Sequence, residues 1–172
     1  MTETPTEPAQ PGGQLREPAN RVSPRAVSYW RLTAFLGALV EWAVLGVGYA
    51  FLPGRPWWVT ALLVALVLPS VVHLAVMPTL RYRVHRWEVT PTAVHTRAGW
   101  LTIEQRIAPL SRVQTVDSQQ GALMRLFRLA SLTVTTASAA GPITIACLDA
   151  DVAHGLVAEL TAITSSTTGD AT

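Results

Sequence analysis

Two ionisable side chains, Glu41 and His73, stand within long apolar stretches of the sequence. A carboxylate and an imidazole in apolar surroundings have the chemistry of a proton relay or an ion path. Helical spacing puts Glu41 on one face with small residues, among them Gly37 and Gly48, which allow another helix to approach closely. At 1.5 Å per residue, Glu41 and His73 lie about 8 Å apart along the helix axes, so a direct pair would need water or a third group. Two roles remain open for Glu41: a proton or ion path, and a helix-packing or oligomer contact.

Polar residues in the second half of the chain form another set of candidates for contacts with a partner. These candidate interaction residues are Arg112, Gln114, Arg125 and Arg128. Each has a structural alternative, because Arg112 could pair with Glu104 or Asp117 and Gln114 could bond to the backbone. Arg125 and Arg128 could equally form one solvated turn of a short helix.

Three arginines directly follow the second apolar stretch, at Arg81, Arg83 and Arg86. Near an anionic membrane surface each could contribute about 1 kcal/mol of attraction to lipid head groups. They could also act only as the positive charges that orient a membrane hairpin. The sequence favours the second role, because a head-group site would need basic residues clustered in one loop.

Patterns typical of catalysis or cofactor binding are missing from the sequence. His85, His95 and His154 have no metal-ligand spacing with Cys147, which itself stands at an alternating position typical of a core. There is no glycine-rich phosphate loop and no nucleophile elbow. The sequence therefore predicts no enzyme, no metal and no cofactor. Arginine and acidic residues nearly balance after residue 80, which argues against a nucleic-acid partner.

The elements that carry these residues begin with two apolar runs, at 32–52 and 57–77, separated by a short break rich in proline. Each run makes a helix of about 30 Å, which is the thickness of a bilayer's hydrocarbon core. With 49% hydrophobic and 14% charged residues, the chain is too apolar for an ordinary soluble domain. The first run is too long, and begins too late, for a cleaved signal peptide. The sequence predicts a transmembrane helical hairpin.

The distribution of arginine predicts the orientation of this hairpin. Arginines are frequent before and after it, whereas its loop has Arg55 alone, so both termini are expected in the cytoplasm of a two-helix cell-membrane protein. The proline-rich segment 1–31 is then a disordered cytoplasmic tail, 78–163 a cytoplasmic domain and 164–172 a flexible tail. Aromatic residues suited to the two membrane interfaces are Trp57 and Trp58 at one end, and Tyr29, Trp30 and Tyr82 at the other.

After the hairpin, the pattern changes to short alternating stretches that predict antiparallel strands. One strand ends near Gly99, and Leu101, Ile103 and Ile107 predict the buried face of the next. A short amphipathic helix is expected at 121–128, followed by a strand hairpin around a turn at 138–142. An amphipathic helix capped by Asp149 closes the domain, with Val152, Leu156, Val157, Leu160 and Ile163 as its apolar stripe. The predicted class is α+β, a small open barrel or sandwich closed by a C-terminal helix.

Four segments of the domain carry a family resemblance: IAPLSRVQTV at 107–116, QGALMRLF at 120–127, LASL at 129–132 and TTA at 135–137. With the preceding hairpin, they resemble the YdbS-type family of bacterial membrane proteins that have a pleckstrin-homology-like (PH-like) domain. The resemblance runs from about residue 32 to 163 and implies a membrane-anchored PH-like domain without catalytic residues. Arg128 departs from the pattern, since the family usually has glycine there, where a left-handed cap would follow the short helix.

These observations predict a non-enzymatic membrane-anchored scaffold that offers its domain to a partner at the cytoplasmic face, with lipid contact as an added role. The partner would be another membrane protein of the same family or a second copy of the chain. The competing hypothesis is an accessory subunit of a membrane transport or antimicrobial-resistance system, in which the hairpin works through Glu41 and His73.

Overall fold

A computed structural model describes residues 16–138 and 141–169, with side chains up to Ile163. Two antiparallel helices, α1 (Arg25–Ala50) and α2 (Trp57–Val84), are each long and apolar enough to cross a membrane. Their lipid-facing side chains, such as Val40 and Leu68, are more than half exposed. The helices are joined by hydrogen bonds, including one of 2.8 Å from Trp42 Nε1 to Ser70 Oγ. The predicted helical hairpin is therefore present in the structure.

Both helices extend beyond the predicted apolar runs at the end that meets the domain. α1 begins at Arg25 rather than near residue 32, and α2 continues past Met77 to Val84. Pro78 does not end α2, although it lacks the N–H of a helical hydrogen bond. Its side chain is fully buried, and such packing lets a membrane helix keep an internal proline. α2 therefore continues past residue 78, where the domain was expected to start.

Residues 16–31 are ordered, contrary to the expected disordered tail; residues 1–15 of that tail lie outside the described residues. A short strand, β1 (Asn20–Arg21), pairs antiparallel with a strand of the domain. Val22, Ala26 and Trp30 are at most 3% exposed, so this segment buries apolar surface that the proline-rich composition conceals. The burial of these three side chains offsets the entropy of ordering the segment.

The domain contains two antiparallel sheets and two helices. One sheet has the order β1-β2-β3-β4, with β2 (Arg86–Val89), β3 (Ala93–Gly99) and β4 (Ile103–Pro109). A 3-10 turn leads to the second sheet, β5-β6-β7, formed by β5 (Val113–Gln119), β6 (Leu129–Thr136) and β7 (Ile143–Asp149). α3 (Ala122–Leu126) lies between β5 and β6, and α4 (Ala150–Gly169) follows β7. The predicted α+β class is confirmed, with two sheets that do not close into a barrel.

The main core lies between the second sheet and α4. Its fully buried members include Leu132, Val134 and Leu160, packed with Val94 from the first sheet. The predicted stripe of α4 holds for most positions, but Val152 is 41% exposed. The expected flexible tail at 164–172 begins inside α4, whose backbone continues to Gly169; residues 170–172 lie outside the described part of the chain.

β4 differs most from its predicted role. Leu101, Ile103 and Ile107 were expected to face the core, yet they are 80%, 48% and 45% exposed. β4 is the last strand of its sheet, so it pairs with β3 on one side and no described strand covers its other side. Alternation identifies a strand with two unlike faces, but the packing of neighbouring elements decides which face is covered. β4 therefore combines an unpaired backbone edge with exposed apolar side chains.

The segment at 120–127, which carries part of the family resemblance, connects β5 to β6 in the second sheet. Gln120 Nε2 donates to the carbonyl of Leu129 at 2.9 Å, which ties the start of α3 to β6. Arg128 adopts the left-handed conformation with φ of +53°, so the cap survives without the usual glycine. The carbonyl of Arg128 then accepts from the backbone N–H of Ala150 at 3.0 Å.

Candidate functional site

A second apolar cluster joins the hairpin to the domain and is called here the junction cluster. Its buried members are Val22, Ala26, Trp30, Met77, Leu129 and Cys147. The first three come from the N-terminal segment and α1, Met77 comes from α2, and the last two come from β6 and β7. A buried cluster shared by two helices and a sheet fixes their relative positions, because separating them would expose all of this surface. The domain is thus packed on the hairpin and not merely tethered to it.

Polar bonds at the start of α1 strengthen the junction. Ser23 Oγ donates to Asp149 Oδ1 at 2.8 Å, and Arg25 pairs with the same carboxylate oxygen at 3.3 Å. The backbone N–H of Ser23 also donates to the carbonyl of Cys147 at 3.0 Å. Asp149 directly precedes α4, where the sequence predicted it as a cap, and its side chain also bonds to residues at the start of α1.

A stack of three side chains fills the centre of the junction. The Arg81 guanidinium lies 4.6 Å from the centroid of the Trp30 ring, and the His85 ring lies 5.1 Å from the same aromatic side chain. His85 Nδ1 donates to the carbonyl of Arg81 at 2.9 Å, and its Nε2 accepts from Arg81 Nε at 3.4 Å. This pattern fits a neutral imidazole. Trp30 and Tyr82 were expected in a lipid interface, but Trp30 is 3% exposed and belongs to this stack.

Burial, together with the smaller effect of the nearby Arg81 charge, lowers the pKa of His85 from 6.5 to about 4, against the hydrogen bond to the Arg81 carbonyl. Between these values the unfolded chain binds a proton that the folded protein does not. We therefore expect the free energy of unfolding to fall as the pH drops from 6.5 to 4, by up to about 1.4 kcal/mol per pH unit. Unfolding in detergent across this range would measure it. His85→Asn should flatten the pH dependence of the free energy of unfolding. His154→Asn, at an exposed position on α4, is the control and should leave it unchanged. An unchanged pH dependence in His85→Asn would show that His85 is not the group responsible.

Cys147 lies on the junction side of β7 because the strand is irregular there. The register between β6 and β7 shifts at Ala130 and Leu132, and Cys147 has a φ of +58°. Such a bulge redirects a side chain, so Cys147 faces the junction cluster while its neighbour Leu148 faces the main core. The thiol is buried, and desolvation raises its pKa to about 11 against the opposing effects of Arg81 and Trp30. The expectation of a core position is thus met, and the thiol is poorly reactive.

Glu41 and His73 line one groove of about 710 Å³ between α1 and α2. Gly37 and Ser70 also line it, whereas Gly48 lies in a separate apolar crevice nearer the hairpin loop. No hydrogen bond or ion pair joins Glu41 to any other residue in 16–138 and 141–169. The His73 ring instead packs edge-on against Trp100, from the turn between β3 and β4, with 5.1 Å between the ring centroids. The structure thus brings Glu41 and His73 into one groove without pairing them.

The candidate interaction residues of the domain are dispersed. Arg112 lines a groove of about 420 Å³ beside β4, while Gln114 is exposed on β5 and Arg125 on α3. Neither predicted carboxylate pairs with Arg112, because Glu104 binds Arg106 at 2.6 Å and Asp117 accepts from a threonine hydroxyl. Arg106 also lines this groove, and its side chain donates to the carbonyl of Pro142 at 2.8 Å.

The three arginines after the second apolar run have different surroundings. Arg81 belongs to the junction stack, and Arg86 lies in β2, where it pairs with Glu17 at 3.8 Å. Arg97 binds the same glutamate, which helps to hold the N-terminal segment on the sheet. Arg83 alone of the three is exposed. Arg83 is therefore the member of this set best placed to meet lipid head groups.

The structure combines a helical hairpin with a two-sheet domain and a closing helix. Sequence comparison identifies the family. The model of the family described as Bacterial PH domain matches residues 32–163. The chain belongs to this family, and it is a membrane protein with a PH-like domain. It is similar to the transmembrane protein YdbS of Bacillus subtilis (strain 168), with 32% identity over 127 residues that cover 71% of this chain and 79% of YdbS. No solved structure gives a significant match.

Proposed function

We propose that the protein is a non-enzymatic scaffold that presents its PH-like domain at the cytoplasmic face of the cell membrane to another membrane protein. The arrangement of arginines around the hairpin supports this orientation, with both termini in the cytoplasm. The family supports a membrane-anchored PH-like domain. The observation that carries the proposal is the open edge of β4, where apolar side chains and a groove remain uncovered on a domain held rigidly to the membrane.

The open edge of β4 suits an extended segment of a partner. An edge strand has backbone N–H and C=O groups that point outward and can pair with an added strand. Ile107 is 45% exposed beside this edge and offers an apolar contact that a solvent-facing strand does not need. Arg112, which lacks a side-chain partner among the described residues, lies in the adjoining groove and could bind a carboxylate.

Membrane anchoring restricts the choice of partner. A domain fixed to the bilayer meets other proteins of the same membrane at high effective concentration, so a modest interface is sufficient. The partner would be a second membrane protein of the same family or another copy of the chain. A nucleic-acid partner is not expected, since arginine and acidic residues nearly balance after residue 80.

Affinity purification of the full-length protein from its own membranes would test the scaffold. The wild type should retain a defined set of membrane proteins, and Ile107→Lys should lose them, because a charge on the edge opposes strand addition. Val152→Lys is the matched control, since Val152 is similarly exposed, at 41%, but lies on α4. Retention of the same proteins by Ile107→Lys, or of none by the wild type, would contradict the proposal. Differently tagged copies would show whether a second copy is the partner.

The groove between the helices supports the second candidate function, an accessory subunit of a transport or resistance system. An unpaired acid at membrane depth is costly and is commonly retained for function. Under this alternative, Glu41→Leu abolishes the protein's contribution to the host phenotype while the edge of β4 stays intact. If Glu41→Leu leaves both the phenotype and the captured proteins unchanged, the hairpin is only an anchor.

A further inference from the structure

The turn between β3 and β4 reaches the depth of the membrane-spanning segment. Trp100, the first residue of this turn, packs on His73. His73 lies four residues before the end of the apolar run at Met77, which is about 6 Å along the helix. The turn, whose Trp100 also packs against the junction cluster, therefore descends beside α2 to the level where acyl chains meet head groups.

The composition of the turn suits that depth. The five residues from Gly99 to Ile103 carry no charge, and Leu101 at the tip is 80% exposed. Ile103, at the start of β4, is 48% exposed beside it. Tryptophan is the side chain most typical of the membrane interface. Trp100 thus lies at the interface level that the sequence predicts for Trp30, which is buried in the junction cluster.

Gly99 fixes the direction of the turn. Its φ is +121°, and a Cβ atom there would lie 1.8 Å from the carbonyl oxygen of Thr102. Only glycine permits this close return of the chain, which turns Leu101 outward. The exposed leucine is therefore held in position by the backbone.

We propose that residues 100–103 form a third membrane contact, which inserts Leu101 into the leaflet on the domain's side of the bilayer. The occupant of this apolar tip is lipid and not protein, because the tip is continuous with the lipid-facing surface of α2. This contact goes beyond the proposed scaffold and does not depend on the identity of its partner. Interfacial insertion also satisfies the turn's backbone, since head groups and water remain within hydrogen-bond reach.

Fluorescence quenching in proteoliposomes would test this contact with the full-length protein. A polarity-sensitive probe is attached to Thr102→Cys and, as control, to Thr92→Cys in the turn at the opposite end of β3. Cys147, buried and with a raised thiol pKa, should not react with the label. The probe at residue 102 should be quenched severalfold more by lipids with a nitroxide near the head group than the probe at residue 92. Aqueous iodide should give the opposite order.

Leu101→Asp provides the second arm, and it should not disturb folding because this side chain is exposed. In the Leu101→Asp background, the probe at residue 102 should lose most of its lipid quenching and gain iodide quenching. Equal iodide quenching of both probes in the protein that retains Leu101 would overturn the proposal. Protection of residue 102 from both quenchers would also overturn it, since the tip would then contact protein.

Discussion

Replacing Trp30 with alanine is expected to lower the free energy of unfolding by about 3–5 kcal/mol, the cost typical of truncating a buried aromatic residue. Trp30 is 3% exposed and contacts elements from three parts of the chain. Its removal also deprives Arg81 of an aromatic face and His85 of its ring contact. Chemical or thermal unfolding of the full-length protein in mild detergent would measure the loss.

Trp58→Ala is the matched control for this variant. Trp58 belongs to the same hairpin but is 57% exposed at the end remote from the domain, so its truncation should change the free energy of unfolding little. The main core between β5-β6-β7 and α4 does not include Trp30, and the domain should keep its secondary structure. Equal stability of Trp30→Ala and the wild type would show that the junction cluster does not hold the two parts together.

Gly99→Ala is expected to be the most disruptive single-methyl change in the domain. The left-handed backbone alone is worth about 1–3 kcal/mol when a non-glycine residue must adopt it. The added Cβ would also overlap the backbone oxygen of Thr102, which cannot move aside as a flexible side chain can. Thermal unfolding in detergent should therefore show a clear loss, accompanied by faster proteolysis within the β3–β4 turn.

Gly141→Ala separates the two causes of this effect. Gly141 also has a positive φ, of +78°, but apart from its chain neighbours no atom of the described residues lies within 4 Å of a Cβ placed there. Gly141→Ala should show only the conformational cost of the positive φ. The difference in the free energy of unfolding between the two variants therefore measures the steric overlap at residue 99. If Gly99→Ala is no more destabilising than Gly141→Ala, the turn does not have the close return described above.

The sequence predicts those parts of the fold that depend on local pattern. Two apolar runs of membrane length predict the hairpin, and alternation with turn residues predicts most strands of the domain. The N-terminal segment was missed because five prolines suggested disorder, although Ser23 and Pro24 form a helix-start signal. Val22 comes directly before this signal, and Ala26 and Trp30 follow it at intervals of four, the spacing of an apolar helical stripe. Their partners, Leu129 and Cys147, are at least 99 residues away, so no local pattern could reveal that contact.

The contacts at the candidate sites also divide into those that local sequence pattern predicts and those that depend on packing between distant segments. Helical spacing was sufficient to place Glu41 and Gly37 on one face, and the structure puts both in one groove with His73. It could not place Trp100 beside His73, since that contact depends on how the domain packs against α2. Charge pairing was equally unpredictable, because Arg106, two residues from Glu104 in β4, binds this carboxylate in place of Arg112.

If the hairpin and the PH-like domain form one rigid body, the distance between two spin labels, one on each part, should have a narrow distribution. Labels at Ala61→Cys on α2 and Glu159→Cys on α4 occupy exposed positions in the two parts of the full-length protein in nanodiscs. Rigid packing through the junction cluster predicts a single narrow distribution, which Trp30→Ala should broaden. A broad distribution in the protein with Trp30 intact would show that the domain moves freely on its anchor, and would rule out rigid packing through the junction cluster.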